Sequence, residues 1–318
     1  MILSSMPERN FLPASVSFPL GLQVIERGWL SSNIVVISGE SSTALIDSGY
    51  ASHSAQTVSL VQSALGGLYP DLLLNTHLHS DHCGGNAALQ AKFPSLKTLI
   101  PPGQSQFVSN WDPVALSYQP TGQICPQFSF QGLLKPGAEI VLGDLVWEIH
   151  SAAGHDPHSL VFFQRDTRLL VSADALWENG FGIVFPELEG ESAFDEVSST
   201  LDLIEELLPL TVIPGHGAPF FYSNEIMSRA RERLAAFVTN PVKHAKHAAK
   251  VLLKFKLLEV QSQSAADFKA WALQTPYFEL VRSRFFSAVN SSQWVDELIA
   301  ELVLSNAARR LGDKISNL

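Results

Sequence analysis

The sequence predicts a layered α/β domain followed by a mainly helical segment, and three observations predict it. Between residues 20 and 216, short apolar runs bounded by Gly, Ser, Asn or Pro alternate with stretches of helical periodicity. From about residue 224 the strand–turn alternation stops, and Lys, Arg, Ala and Leu dominate through 224–256 and 265–312. The charge also changes sign: residues 1–228 hold 7 Lys+Arg against 23 Asp+Glu, whereas 229–318 hold 14 against 8. The expected division is therefore 1–223 and 224–318.

Taken in order, LGLQVIER (20–27), NIVVIS (33–38) and TALID (43–47) read as strands. Residues 52–66 carry helical spacing, LLLNT (72–76) is a buried strand, 84–93 a helix and KTLIP (97–101) a strand. Residues 102–135 mix Pro, Gly, Gln and aromatics without a period and read as a loop-rich insertion over a site. EIVLGDLVWEIH (139–150) is a hairpin turning at Gly-Asp, and SLVFFQ (159–164) pairs with RLLVS (168–172) through RDT. EVSSTLDLIEELL (196–208) has apolar residues at i, i+3, i+4 and i+7, so a helix precedes the strand TVIP (211–214). Asn240-Pro241 breaks the helical segment.

With 318 residues, 46% hydrophobic and 16% charged, and a mean hydropathy of +0.13, the chain has ample material for a large core. No run reaches the roughly 18–20 apolar residues of a membrane span, and the first residues show no basic-then-apolar leader. Two cysteines, Cys83 and Cys125, make no disulfide framework. Together these features imply a cytoplasmic protein with reduced thiols.

The chemistry concentrates in NTHLHSDHCGG (75–85), where His77, His79, Asp81 and His82 follow an apolar strand. Extended backbone would put 77, 79 and 81 on one side, and Gly84-Gly85 would let the chain fold tightly into the next helix. Further metal-capable residues stand just past other apolar runs: Asp47 after TALI, His155 in AAGHDPHS, Asp174 after RLLVSA, and His216 in PGHG.

These motifs resemble, in order, those of the metallo-β-lactamase superfamily, over roughly residues 20–220. The resemblance implies a four-layer αββα sandwich with a metal site at one edge of two sheets. It implies one metal held by His77, His79 and His155, a second held by Asp81, His82 and His216, and Asp174 bridging both. Asp47 would support the ligand loop rather than bind metal. Imidazole and carboxylate ligands with open positions suit catalytic zinc, with iron or manganese as alternatives. The implied enzyme is a binuclear metal-dependent hydrolase in which a bridging hydroxide attacks a carbonyl carbon or phosphorus, with Asp81 and Asp174 as the catalytic carboxylates.

The complete ligand set resembles the glyoxalase II-like branch, which implies a thioester as substrate, although no equivalent of that enzyme's glutathione-binding segment is found. A lactone is an alternative small-molecule substrate. The basic tail also resembles the extension of the β-lactamase-like-protein-2 group, which includes RNA-cleaving members, but the acidic first domain disfavours nucleic acid. A regulatory binding protein that keeps its metals is a third reading, and a homo-oligomer is compatible with each.

Trp177, Phe181 and Phe185, in LWENGFGIVFPELEG, are expected to line the pocket. His158 reads equally as a substrate hydrogen-bonder and as a loop histidine, and Cys83 as a packing residue. His244 and His247, among Lys243, Lys246 and Lys250, read as a solvated helix face, with an anion-binding patch as the alternative.

Overall fold

The first twelve strands separate into two six-stranded sheets in chain order. The computed structural model describes residues 16–318, so the leader-free reading of the first residues lies largely outside it. The first sheet contains β1 (Leu22–Ile25), β2 (Ile34–Ser38), β3 (Thr43–Ile46), β4 (Leu72–Leu74), β5 (Lys97–Ile100) and β6 (Gly132–Leu133), in that spatial order. β1 to β3 pair antiparallel, and β3 to β6 pair parallel. The parallel crossovers carry α1 (Ser54–Ala64), then α2 (Ser80–Cys83) and α3 (Asn86–Lys92), then α4 (Ser105–Asn110) and α5 (Tyr118–Thr121).

The second sheet contains β7 (Glu139–Leu142), β8 (Leu145–Ser151), β9 (Leu160–Gln164), β10 (Leu169–Ala173), β11 (Thr211–Pro214) and β12 (Phe220–Phe221). Only β10 and β11 pair parallel, and their crossover carries α6 (Phe185–Glu189) and α7 (Phe194–Leu207). The β7–β8 hairpin turns at Gly143-Asp144 as expected.

Side-chain alternation along β2 explains the layers. Val35 and Ile37 face inward onto Trp147, Ile149 and Phe162 of the second sheet. Ile34 and Val36 face outward onto Val61 of α1, Leu65 just after it and Leu89 of α3. The second sheet repeats the pattern: Leu169 and Val171 point inward. Leu170 and Val212 point outward onto Val197, Leu201 and Ile204 of α7. Two sheets face to face, each covered by helices, make the αββα sandwich. Burying each such Leu, Ile or Val stabilises by roughly 1.5–3 kcal/mol.

The C-terminal residues form α8 (Asn224–Thr239), α9 (Pro241–Val260), α10 (Ala265–Gln274), α11 (Pro276–Phe285) and α12 (Ser291–Leu304). Asn240 caps α9 by accepting from the Lys243 N–H, and Pro241 occupies the first helical turn, which accounts for the break. The expected boundary at 223–224 falls between β12 and α8. Ile226, Met227 and Leu234 of α8 pack with the outer core of the second sheet. A separate core begins at α9, where Ala245, Ala249, Leu253 and Leu257 meet Phe268, Phe278, Trp294 and Leu298.

This region also holds a small sheet that the periodicity did not reveal: β13 (Ser262–Ser264), β14 (Ala308–Leu311) and β15 (Lys314–Asn317), ordered β13-β15-β14. Among the described residues no helix is long and apolar enough to cross a membrane.

Candidate metal centre

The chemistry-bearing residues arrive from the ends of five strands. Asp47 follows β3, in the left-handed region at φ 61°. His77 and His79 follow β4 in extended or irregular backbone, and Asp81 and His82 lie on the short α2. The alternation expected at 77, 79 and 81 therefore stops at 79, and one helical turn delivers the other two. His155 lies between β8 and β9, Asp174 just after β10, and His216 after β11. Gly84 and Gly85 follow α2 with ordinary φ, and their lack of a side chain serves close packing. A Cβ would stand 2.6 Å from the Ala51 nitrogen at Gly84 and 2.3 Å from the Ser48 oxygen at Gly85.

Two groups of donors result. Single donor atoms of His77, His79 and His155 lie within 4.8 Å of one another, and so do those of Asp81, His82, Asp174 and His216. In the first group His79 Nδ1 is 3.1 Å from His77 Nε2 and 2.9 Å from His155 Nε2. A neutral imidazole carries one N–H, so three ring nitrogens aimed at one point cannot all be satisfied by each other. In the second, His216 Nε2 is 3.1 Å from Asp81 Oδ2. Asp174 stands between the groups, with Oδ2 3.3 Å from His155 Nε2 and 3.5 Å from His82 Nε2.

The surroundings fix which nitrogen points inward. Asp47 Oδ2 holds His82 Nδ1 at 2.7 Å, and His82 Nε2 is buried with no hydrogen-bond partner. The Ile183 carbonyl accepts from His155 Nδ1 at 2.5 Å, so His155 Nε2 faces the centre. Asp47 is itself held by the backbone N–H and hydroxyl of Thr76, each at 2.8 Å. Gly215 leaves room for the carboxylate, since a Cβ there would stand 2.2 Å from Asp174 Oδ1. An orphaned inward nitrogen on His82, outward nitrogens tied to carboxylate or carbonyl, and a shared carboxylate form a donor set that fits divalent cations.

Electrostatics agree. Burial, then the neighbouring histidines, hold His77 well below the ordinary histidine range, and burial and His79 bring His155 down to about 4. Both are thus neutral imidazoles, the form that binds metal. Burial works against a charged His82, yet Asp174 and Asp47 outweigh it and raise its pKa well above the ordinary value. Burial would likewise raise Asp174, but His82 and His216 hold its carboxyl well below the usual range.

The centre opens into a cavity of about 400 Å3 lined by His79, Asp81, His155, Asp174, His216, Trp177 and Phe185. Trp177 and Phe185 both border this cavity, and the Trp177 Nε1–H donates to Asp174 Oδ1 at 3.1 Å. Phe181 does not line the cavity. It is 1% exposed in the outer core, edge-on to Phe237, because the 177–185 loop turns it away. His158 is half-buried off the wall; its backbone N–H bonds Asp156 Oδ1, and its ring abuts Gly103. Residues 115, 117, 120, 121 and 123 of the expected insertion do border the cavity.

Several contributors carried no sequence signal. Trp29 stacks on His216 with ring centroids 5.4 Å apart and an interplanar angle of 11°. Val251, Leu252 and Phe255 of α9, and Tyr277 of α11, close the opposite wall, so the C-terminal segment shapes the pocket. His244 is buried rather than on a solvated face. Lys246 and Lys250 share the Glu301 carboxylate, which engages the basic patch internally. Cys83 packs beside Tyr118, as a packing residue should.

A family model described as the metallo-beta-lactamase superfamily matches residues 27–216. Among curated proteins, hydroxyacylglutathione hydrolase of Nostoc sp. is 27% identical over 201 residues, which cover 61% of this chain and 65% of that protein's length. A metallo-beta-lactamase family protein from Thermus thermophilus is similar in structure, with TM-score 0.54 and 17% identity, over 94% of this chain and 99% of its own. The structure of TTHA1623 in a di-iron-bound form gives TM-score 0.52 and 23% identity, over 65% of this chain and 98% of its own.

Proposed function

The chain belongs to the metallo-beta-lactamase superfamily, and from that premise we propose that it is a binuclear metal-dependent hydrolase acting on a thioester. The observation that carries the reading is the pair of donor groups joined by Asp174, open to a cavity. In this reading His77, His79 and His155 hold one cation, Asp81, His82 and His216 the other, and Asp174 both. Zinc suits these donors, and the di-iron-bound neighbour makes iron the principal alternative. The thioester preference draws support from the relative named hydroxyacylglutathione hydrolase, which this chain matches over only about two thirds of its length.

Two divalent cations bound there supply Lewis acidity toward a carbonyl oxygen and toward water. The chain's own residues do the rest. Asp47 and the Ile183 carbonyl set the tautomers of His82 and His155. Trp177 holds the Asp174 carboxylate in one orientation through its N–H. The Asp81 carboxylate, kept below its ordinary pKa against burial by His216 and His82, is the group placed to accept a proton beside the reacting carbonyl. Phe185, Phe255 and Trp29 exclude water from an acyl group lying along the wall. A cytoplasmic setting is consistent with the free thiols Cys83 and Cys125.

The test is turnover by zinc-loaded protein across thioesters, lactones and a structured RNA, with His77→Ala as control. Rapid thioester cleavage that the control lacks supports the reading, and preferential cleavage of lactone or RNA overturns the substrate class.

A further inference from the structure

A second cavity, of about 470 Å3, adjoins the metal centre and shares Trp29, Trp177, His216 and Phe255 with the first. Its walls are largely apolar, with Val251 and Leu258 of α9 completing them, and its polar side is formed by Arg233 of α8 and His247 and Lys254 of α9.

Some arginines of the chain have carboxylate partners. Arg231 pairs with Asp202 and Glu205, Arg282 with Glu279, and Arg165 with Glu148. No carboxylate among the described residues comes within 4.0 Å of the Arg233 guanidinium. Its charged carbon lies 4.9 Å from the Phe237 ring centroid and 5.6 Å from that of Phe181. Nη2 is 3.2 Å from His247 Nε2, and Nε is fully enclosed with no partner at all. Gly180 admits this packing, since a Cβ there would stand 2.5 Å from Arg233 Cδ.

A guanidinium stays charged even where burial depresses its pKa, as burial does for Arg233. Desolvating it without a counter-ion is costly, and the Phe181 and Phe237 rings and His247 compensate that cost only in part, which leaves room for an anion in the cavity. The other groups on this wall do not. Lys254 is already committed, its Nζ donating to the Ala307 carbonyl at 2.7 Å and the Leu318 oxygen at 2.8 Å. His247 is held neutral, burial and Arg233 bringing it down to about 4. Glu178, the one carboxylate on the wall, is exposed.

We propose that this second cavity is a carboxylate-recognition subsite, in which Arg233 takes the anionic end of a substrate whose apolar middle lies along Trp29, Trp177, Val251 and Phe255. A guanidinium without a carboxylate partner matches a monoanion, and with Nη2 on His247 and Nε enclosed it is Nη1 that is left to donate to a carboxylate oxygen. The inference deepens the hydrolase reading and rests on it for direction: the reacting end of the substrate lies at the metal centre, and the carboxylate lies beyond the Trp29–Trp177 pair. The substrate is thus an ester or thioester whose acyl or leaving portion carries a terminal carboxylate across an apolar spacer.

Calorimetric titration of the metal-loaded full chain tests it, with octanoate as probe and octan-1-ol as the uncharged match. Octanoate is expected to bind more tightly than octan-1-ol, and Arg233→Gln to weaken octanoate by about tenfold or more while leaving octan-1-ol unchanged. Equal octanoate affinity in wild type and Arg233→Gln overturns the proposal and locates the carboxylate on the metals instead. Should Arg233→Gln lose its cooperative melt, Leu258→Glu replaces it. Leu258 lines the second cavity and not the first, so its carboxylate adds a negative charge there away from the metal centre. Octanoate binding that survives Leu258→Glu undiminished also overturns the proposal. Both variants are read by binding alone, so an absence of thioester turnover bears on the hydrolase reading and leaves this outcome separate.

Discussion

Asp47 Oδ2 and His82 Nδ1 are 2.7 Å apart, both buried, and this single contact determines which nitrogen of His82 faces the metal centre. Asp47 reaches that position because its backbone turns into the left-handed region immediately after β3, where Asp is tolerated better than most residues. Asp47→Asn can present its amide N–H to Nδ1 and thereby favour the wrong tautomer. The expected result is a loss of about 10–100-fold in affinity for one of two metals, measured by competition with a chromogenic chelator. Unchanged affinity at both sites would show that His82 orients without Asp47.

Metal removal should cost stability as well as activity. The donor set holds the Asp81 and Asp174 carboxylates and several imidazoles at one sheet edge, arranged to be satisfied by cations rather than by one another. With free metal at about a thousand times its dissociation constant, binding stabilises the fold by about 4 kcal/mol. For a chain of this size that corresponds to a rise of roughly 6 °C in melting temperature over chelator-treated protein. Identical melting curves with zinc and with chelator would be incompatible with the proposed centre.

What could be read from the residues alone followed from what is local. His77, His79, Asp81 and His82 are contiguous and follow an apolar strand, so their chemistry is visible without a fold. Asp47, His155, Asp174 and His216 are single residues at strand ends, legible because each stands beside Gly or a turn just past an apolar run. Trp29 gave no signal, since an exposed loop tryptophan acquires meaning only once the 33–38 strand brings it over His216. Phe181 and Phe185 look alike in sequence, and only the path of their loop sends one into the core and the other to the cavity. Similarly, β13 to β15 are short and polar, so no apolar alternation marks them. His244 lies among lysines in a stretch that reads as solvated, and it is the packing of Phe194 and Phe237 around it that buries it.

Trp177 should matter through its N–H rather than through its ring. Trp177→Phe keeps an aromatic wall but removes the donor 3.1 Å from Asp174 Oδ1. A hydrogen bond to a charged group contributes about 1.5–3 kcal/mol, so kcat/KM is expected to fall by at least tenfold. The melting temperature should shift by only a few degrees, because the ring sits at the cavity edge and is partly exposed. An equal fall in Trp177→Phe and Trp177→Ala would support the orienting role. A loss confined to Trp177→Ala would assign the effect to the wall.

His244 predicts the protein's response to acid. Its Nε2 accepts from the Val184 N–H at 3.2 Å, and the neighbouring Ile183 carbonyl is the one that orients His155. Burial, with His247 and Arg233 nearby, lowers the His244 pKa to about 3, whereas an unfolded histidine titrates near 6.5. Between those values the unfolded chain binds a proton that the folded chain does not. Stability is therefore full above about pH 6.5 and falls as the pH drops toward 3. By pH 4.5 the contribution lost is on the order of 2 kcal/mol. His244→Gln offers an amide oxygen to Val184 without titrating, so its melting temperature should decline less steeply than that of the wild type between pH 6.5 and 4.5. Acid release of metal affects both proteins, and the difference between the two curves isolates the histidine. Parallel curves would mean that His244 is protonated in the folded state, which its contact with the Val184 N–H does not allow.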